Sequence, residues 1–152
     1  MKTVLLVLAL LWPVTGLADF SEGLAAYQRG DFATAIREFR PLAEAGNAWA
    51  QYNLGVMYAN GEGVPEDDAE AVKWYRLAAA QGNAWAQFNL GVRYAKGKGV
   101  PKDDAEAVKW YRLAAAQGDA KAQFNLGNMY SDGRGVPEDD AEAVKWYRLA
   151  AA

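Results

Sequence analysis

The sequence predicts an all-α fold, a solenoid of stacked helix–turn–helix repeats. Two observations carry that prediction. Trp74, Trp110 and Trp146 recur every 36 residues, and Gln51, Gln87, Gln123 and Gly55, Gly91, Gly127 keep the same step. The segment "EAVKWYRLAAAQG" is also spelled identically at 70–82 and 106–118 and begins again at Glu142. A fixed period in the thirties belongs to helical solenoids, where one helix pair cannot bury its apolar surface alone and stacks on its copies. The units read as 48–83, 84–119 and 120–152, and the first two differ at six positions only.

Within the first unit, helix A is expected over 48–60. Ala50, Leu54, Met57 and Tyr58 fall at i, i+4, i+7 and i+8 and make one apolar stripe. Gly55 interrupts that helix at a cost of about 1 kcal/mol relative to Ala. Its return in every unit points to a close approach of the second helix. The loop "NGEGVPEDD" follows, with turn-forming glycines and a proline that ends any preceding helix. Helix B is expected over 68–81, opened by a capping box of Asp67 and Glu70 and stopped by a left-handed Gly82. Ala71, Val72, Tyr75, Ala78 and Ala79 form one face of helix B, and Trp74 with Leu77 a second. A helix this apolar needs neighbours on two sides.

These residues resemble the Sel-1-like repeat family, a relative of the tetratricopeptide repeat. The resemblance rests on A-x-A-Q-Y/F-N-L-G, then Y-x-x-G-x-G-V-P-x-D, then A-V-K-W-Y and A-A-x-x-G, which runs from Ala48 to the end of the chain. Upstream, "GLAAYQRGDFATAIREFRPLAEAGN" looks like a tetratricopeptide unit, and 19–47 is expected to cap the stack. The resemblance implies a right-handed α/α superhelix whose concave face, lined by helix A, holds a protein or peptide. Some secreted relatives carry a disulfide in each repeat. This chain has no Cys, so properties tied to those bonds do not transfer.

The first residues, "MKTVLLVLALLWPVTGLADF", read as a secretory signal. Lys2 is the basic start, 4–12 is an apolar core far short of the ~20 residues of a membrane span, and Gly16-Leu17-Ala18 places small residues at a cleavage site. Cleavage is expected between Ala18 and Asp19, leaving a periplasmic or secreted protein with no stable membrane insertion. At the other end, no polar helix covers Val144, Tyr147 and Ala151. Either the reading frame is truncated or this end docks onto another subunit.

Composition narrows the function. The net charge is −3, so nucleic acid is not an expected partner. With neither His nor Cys, the usual nucleophilic triads, imidazole metal sites and thiolate zinc sites are impossible. No metal or cofactor is expected. Besides Tyr, the hydroxyl nucleophiles beyond the leader are Ser21, Thr34 and Ser131, and none stands in an S-x-x-K arrangement, which speaks against the weak β-lactamase activity described for Cys-rich relatives. "GEGV", "GKGV" and "GRGV" lack the Lys-Ser/Thr of a phosphate loop, and "PEDDAE" lacks the central glycine of a calcium loop. The expected function is therefore a non-catalytic protein–protein interaction scaffold, with a peptidoglycan or glycan binder as the alternative.

The candidate partner-binding face lies opposite the Leu54 stripe. It presents Trp49, Tyr52 and Asn53 in the first unit, Trp85, Phe88 and Asn89 in the second, and Lys121, Phe124 and Asn125 in the third. The Asn53, Asn89 and Asn125 amides read either as clamps on a partner's backbone or as ties between neighbouring helices. Trp49 and Trp85 read either as recognition anchors or as packing between successive helices. The second unit carries Arg93, Lys96, Lys98 and Lys102 where the first has Met57, Asn60, Glu62 and Glu66. This predicts a basic band, extended by Lys121, that suits an acidic segment or a free carboxylate.

Overall fold

The computed structural model describes residues 18–152. Among them are eight helices and no strand: α1 (Phe20–Gln28), α2 (Phe32–Glu44), α3 (Ala48–Asn60), α4 (Asp68–Ala80), α5 (Ala84–Lys96), α6 (Asp104–Ala116), α7 (Ala120–Ser131) and α8 (Asp140–Ala150). Each helix packs chiefly on its neighbours in the chain, which makes the molecule an all-α solenoid. The leader reading concerns residues that lie outside the described ones, up to its last position, Ala18.

Side-chain caps start the repeat helices. Asn47, Asn83 and Asp119 accept the amides of Ala50, Ala86 and Ala122 at the starts of α3, α5 and α7. Asp67, Asp103 and Asp139 accept those of Glu70, Glu106 and Glu142 at the starts of α4, α6 and α8. Each such cap contributes about 1 kcal/mol. The expected capping box forms by half. The Asp67 amide donates to the Tyr58 carbonyl at 2.9 Å, so Glu70 has no amide to accept and pairs with Lys73 at 2.9 Å instead. Helix α4 ends at Ala80, one residue before the expected Gln81, and Gly82 takes the left-handed φ of 90°.

Gly55 sits where the sequence requires a close approach. A Cβ there would lie 2.7 Å from the Tyr75 ring, and one on Gly91 would lie 2.6 Å from Tyr111. The missing side chain thus lets α4 press its tyrosine onto α3. Leu54, Met57, Ala71, Val72, Tyr75 and Ala78 are buried around that contact. One expected core face departs from this pattern. Trp74 is buried, but Leu77 and its counterpart Leu113 stay half-exposed. The reason is topological: α4 packs on α3 and α5, and no substantial α4–α6 contact forms. The two neighbours that helix B needs are both helix A elements, which leaves its Leu77 side in water.

Polar ties hold the units together. The buried Gln51 donates to the Ala43 carbonyl at 3.0 Å, and Gln87 and Gln123 donate to Ala79 and Ala115 at 3.2 Å. Gln81 then donates to the Gln51 oxygen and Gln117 to the Gln87 oxygen, both at 2.8 Å. The Gln51, Gln87 and Gln123 amides give a second donor to carbonyls near the end of the preceding helix, which also accept the backbone amides of Gly46, Gly82 and Gly118. On the opposite edge, Gly99 rides on the start of α4. Its φ is 73°, and a Cβ there would fall 2.1 Å from the Asp68 carbonyl oxygen. At the last helix, Val144 is 44% exposed where its counterpart Val72 is 1% exposed.

Candidate partner-binding face

Helix A brings three exposed aromatic side chains to one surface. Trp49 is 48% exposed, Trp85 52% and Phe124 52%. The Trp49 and Trp85 rings meet at right angles with centroids 5.2 Å apart, and Tyr52 approaches Trp85 edge-on at 5.6 Å. Such edge-to-face pairs contribute about 0.5–1.5 kcal/mol beyond their burial. The two indoles therefore pack on each other across the joint between units and still offer open surface.

The three asparagines have different surroundings. Asn53 donates to the Trp49 carbonyl of its own helix at 2.8 Å. Asn89 adjoins the hydroxyls of Tyr52 and Tyr75, and Asn125 adjoins that of Tyr111. Burial pushes the Tyr75 hydroxyl up to about 12, with the Arg93 charge and then Asn89 pulling the other way. Burial likewise raises Tyr52, again against Asn89. Asn89 and Asn125 thus face tyrosine hydroxyls of the unit before their own.

The expected basic band comes apart. Arg93 pairs with Asp68 of the preceding unit and is largely covered, because its helix position faces the start of α4. In the third unit Arg134 reaches the matching Asp104 from the loop, at 2.9 Å. Lys96 and Lys98 are exposed at the C-terminal end of α5. Trp85 is 11 residues away along α5, or about 17 Å at 1.5 Å per residue, so these lysines sit at the opposite edge from the aromatic row. Lys121 alone among the expected cations joins the aromatics.

Two cavities open beside Lys121. One, of about 420 Å³, is lined by Tyr52, Trp85, Phe88, Asn89, Asp119 and Lys121. The other, of about 720 Å³ and mainly apolar, lies between Phe88, Lys121, Phe124, Asn125 and Tyr147. Lys121 occupies the position held by Trp49 and Trp85 in the earlier units, and the flexible ammonium leaves room that an indole would fill. Sequence reasoning passed over Gln81 and Gln117 on the neighbouring edge. Their identical spacing was visible, but their inward bonds to Gln51 and Gln87 were not.

The family model of the Sel1 repeat matches residues 50–83, 86–119 and 120–152. The chain belongs to the Sel1 repeat family. Sel1 repeat proteins generally mediate protein–protein interactions, and their scaffolds are generally non-catalytic. Among solved structures, a Sel1 repeat protein from Oxalobacter formigenes is 40% identical with a TM-score of 0.84, over 88% of this chain and 55% of that one. The protein c5321, described as a protective antigen present in uropathogenic Escherichia coli strains displaying an SLR fold, is 45% identical with a TM-score of 0.83, over 88% of this chain and 30% of that one. Cysteine rich protein B of Helicobacter pylori shares the fold at 22% identity and a TM-score of 0.58, covering 85% of this chain and 86% of its own. A curated relative, an exopolysaccharide production negative regulator of Rhizobium leguminosarum bv. viciae, is 39% identical over 51 residues, which are 34% of this chain and 19% of that one. The chain thus spans about half or less of its first solved relatives and a fifth of the curated one. Among the described residues, no helix is long and apolar enough to cross a membrane.

Proposed function

We propose that this Sel1 repeat protein is an extracytoplasmic interaction scaffold that holds a segment of a partner protein along its helix A face. The observation that carries the reading is the pair of cavities flanking Lys121, walled by Trp85, Phe88, Phe124 and Tyr147. Aromatic side chains that a partner can cover, beside a cation, are common in interaction hot spots. The Asp119 carboxylate in the smaller cavity is engaged by the Ala122 amide. The occupant that fits is an apolar segment bearing a carboxylate, side chain or terminal, that meets the Lys121 ammonium. Secretion rests on the leader-like residues 1–18.

The test is affinity capture from envelope and secreted fractions with residues 19–152 as bait, beside Lys121→Glu and Phe124→Ala variants that fold normally. The reading expects a protein retained by the parent and lost by both variants, with retention falling as salt is raised. Equal retention by all three baits would place the partner elsewhere on the surface and overturn the assignment of this face. Recovery of the protein from the cytoplasm with residues 1–18 intact would overturn the extracytoplasmic part.

A further inference from the structure

A third cleft, of about 390 Å³, lies on the other side of Trp85. Trp49, Trp85, Gln81, Gly82, Asn83 and Gln117 line it, together with Ala48 and Ala84. No ionisable side chain takes part. The indoles of Trp49 and Trp85 stand at 90° with centroids 5.2 Å apart, so one ring forms a floor and the other a wall.

The amide orientations in this cleft are fixed by their partners. Gln51 donates its nitrogen to the Ala43 carbonyl, so its oxygen must be the acceptor for Gln81. Gln81 therefore turns its nitrogen inward. Gln117 donates its nitrogen both to Gln87 and to the Gly82 carbonyl, at 2.8 and 3.0 Å. A carbonyl accepts only from a donor, which excludes the flipped amide in each case. Neither the Gln81 nor the Gln117 side-chain oxygen accepts a bond among the described residues, so both remain as acceptors for a ligand. The cleft is thus uncharged, walled by two exposed indoles, and supplied with amide acceptors rather than cations.

We propose that this cleft binds a neutral saccharide. A pyranose ring offers an apolar face of C–H groups for one indole and a rim of hydroxyl donors for the two amide oxygens. A carboxylate or phosphate ligand would find no counter-charge, and a purely apolar ligand would leave the amide oxygens desolvated and unpaired. The two readings share Trp85 but are separable, because Trp49 lines this cleft and not the cavities beside Lys121, whereas Lys121 lines those cavities and not this cleft.

The test is calorimetric titration of the purified protein with two neutral probes, cellotetraose and tetra-N-acetylchitotetraose, repeated on Trp49→Ala, Trp49→Phe and Lys121→Glu variants. Circular dichroism and thermal melts verify that each variant folds. Saturable binding of at least one probe is expected, weakened about tenfold by Trp49→Ala, in line with the loss of one aromatic contact. Trp49→Phe should recover part of that loss, and Lys121→Glu should leave binding unchanged. The proposal is overturned if neither probe binds saturably, or if binding survives Trp49→Ala unaltered. A loss of equal size in Lys121→Glu would move the ligand to the neighbouring cavities and overturn it as well.

Discussion

The joint between the first and second repeats and the joint between the second and third share one frame and differ at one edge. Both carry a glutamine donating into the preceding helix B, Gln87 to Ala79 and Gln123 to Ala115, and at the first joint Gln117 also donates back to Gln87. Both carry an arginine on the first aspartate of helix B. At the aromatic edge, however, the first joint closes with Trp85 on Trp49, and the second sets Lys121 against Trp85 and Phe88. The frame is repeated because packing demands it. The substituted aromatic edge opens cavities and supplies a cation, so the two joints differ in surface chemistry where the copies disagree.

Experiments can break or sharpen that comparison. The largest effect is expected from Gly91→Ala, whose methyl group would fall 2.6 Å from the Tyr111 ring. Overpacking of this kind costs about 1–3 kcal/mol, to be measured by urea unfolding. The matching Gly127→Ala should cost less, because Tyr147 is less buried than Tyr111 and has room to yield. Next comes Gln87→Leu, which removes the side-chain donor to the Ala79 carbonyl and one of the two acceptors of the Gln117 amide, at a cost of about 1–3 kcal/mol. Gln123→Leu should be milder, since it removes only the side-chain donor to the Ala115 carbonyl and no returning amide meets Gln123 among the described residues. Equal losses in either pair would show that the joints are not graded as the packing implies.

A smaller change separates the two arginines. Arg93→Met restores the residue of the first unit and leaves Asp68 unpaired within a mostly covered contact, for about 1 kcal/mol. Arg134→Met should cost less, because Arg134 is more exposed and its pair better screened. Melting curves at low and high salt check the order. Lys121→Trp rebuilds the first joint in the place of the second. It is expected to raise stability by about 0.5 kcal/mol through a new indole contact and to abolish retention of the partner.

A small effect at neutral pH, about 0.5 kcal/mol, is expected from Tyr75→Phe, which removes the buried hydroxyl beside Asn89. Its further consequence appears in alkali. The Tyr75 hydroxyl rises from its ordinary value of 10.0 to about 12 in the folded state, through burial. A raised folded pKa contributes stability that is complete below pH 10 and lost as pH climbs toward 12. The parent should lose stability across that window and Tyr75→Phe should lose less, as read from melting temperature against pH.

The sequence made most of the fold legible because a repeat multiplies each signal. The interior glycine, the caps and the apolar stripe appeared three times, and chance does not repeat at a fixed step. The candidate face was legible only in part. Trp49, Trp85 and Lys121 were visible as one position in three copies, and their exposure follows from lying opposite the Leu54 stripe. Arg93 was misplaced because its partner, Asp68, belongs to the preceding unit, and no pattern within one repeat announces a charge pair across a joint. Leu77 was misplaced for a related reason. The helix is apolar on that side as well, and only the stacking arrangement decides which side a neighbour covers. The glutamines were noticed as markers of the period but not as ties, since a buried amide among alanines declares its role only when the carbonyls it meets are known.

The glycine that rides on the Asp68 carbonyl has a genetic consequence. The loop meets the preceding unit with no space for even a methyl group, and the same contact recurs at Gly135 on Asp104. A gene encoding such a stack can lengthen or shorten by whole copies of its repeat, because each new boundary then reproduces an existing one. A gain or loss of one codon inside the loop has no such refuge, so unequal crossing-over, rather than small insertion, is the natural route by which this architecture changes size.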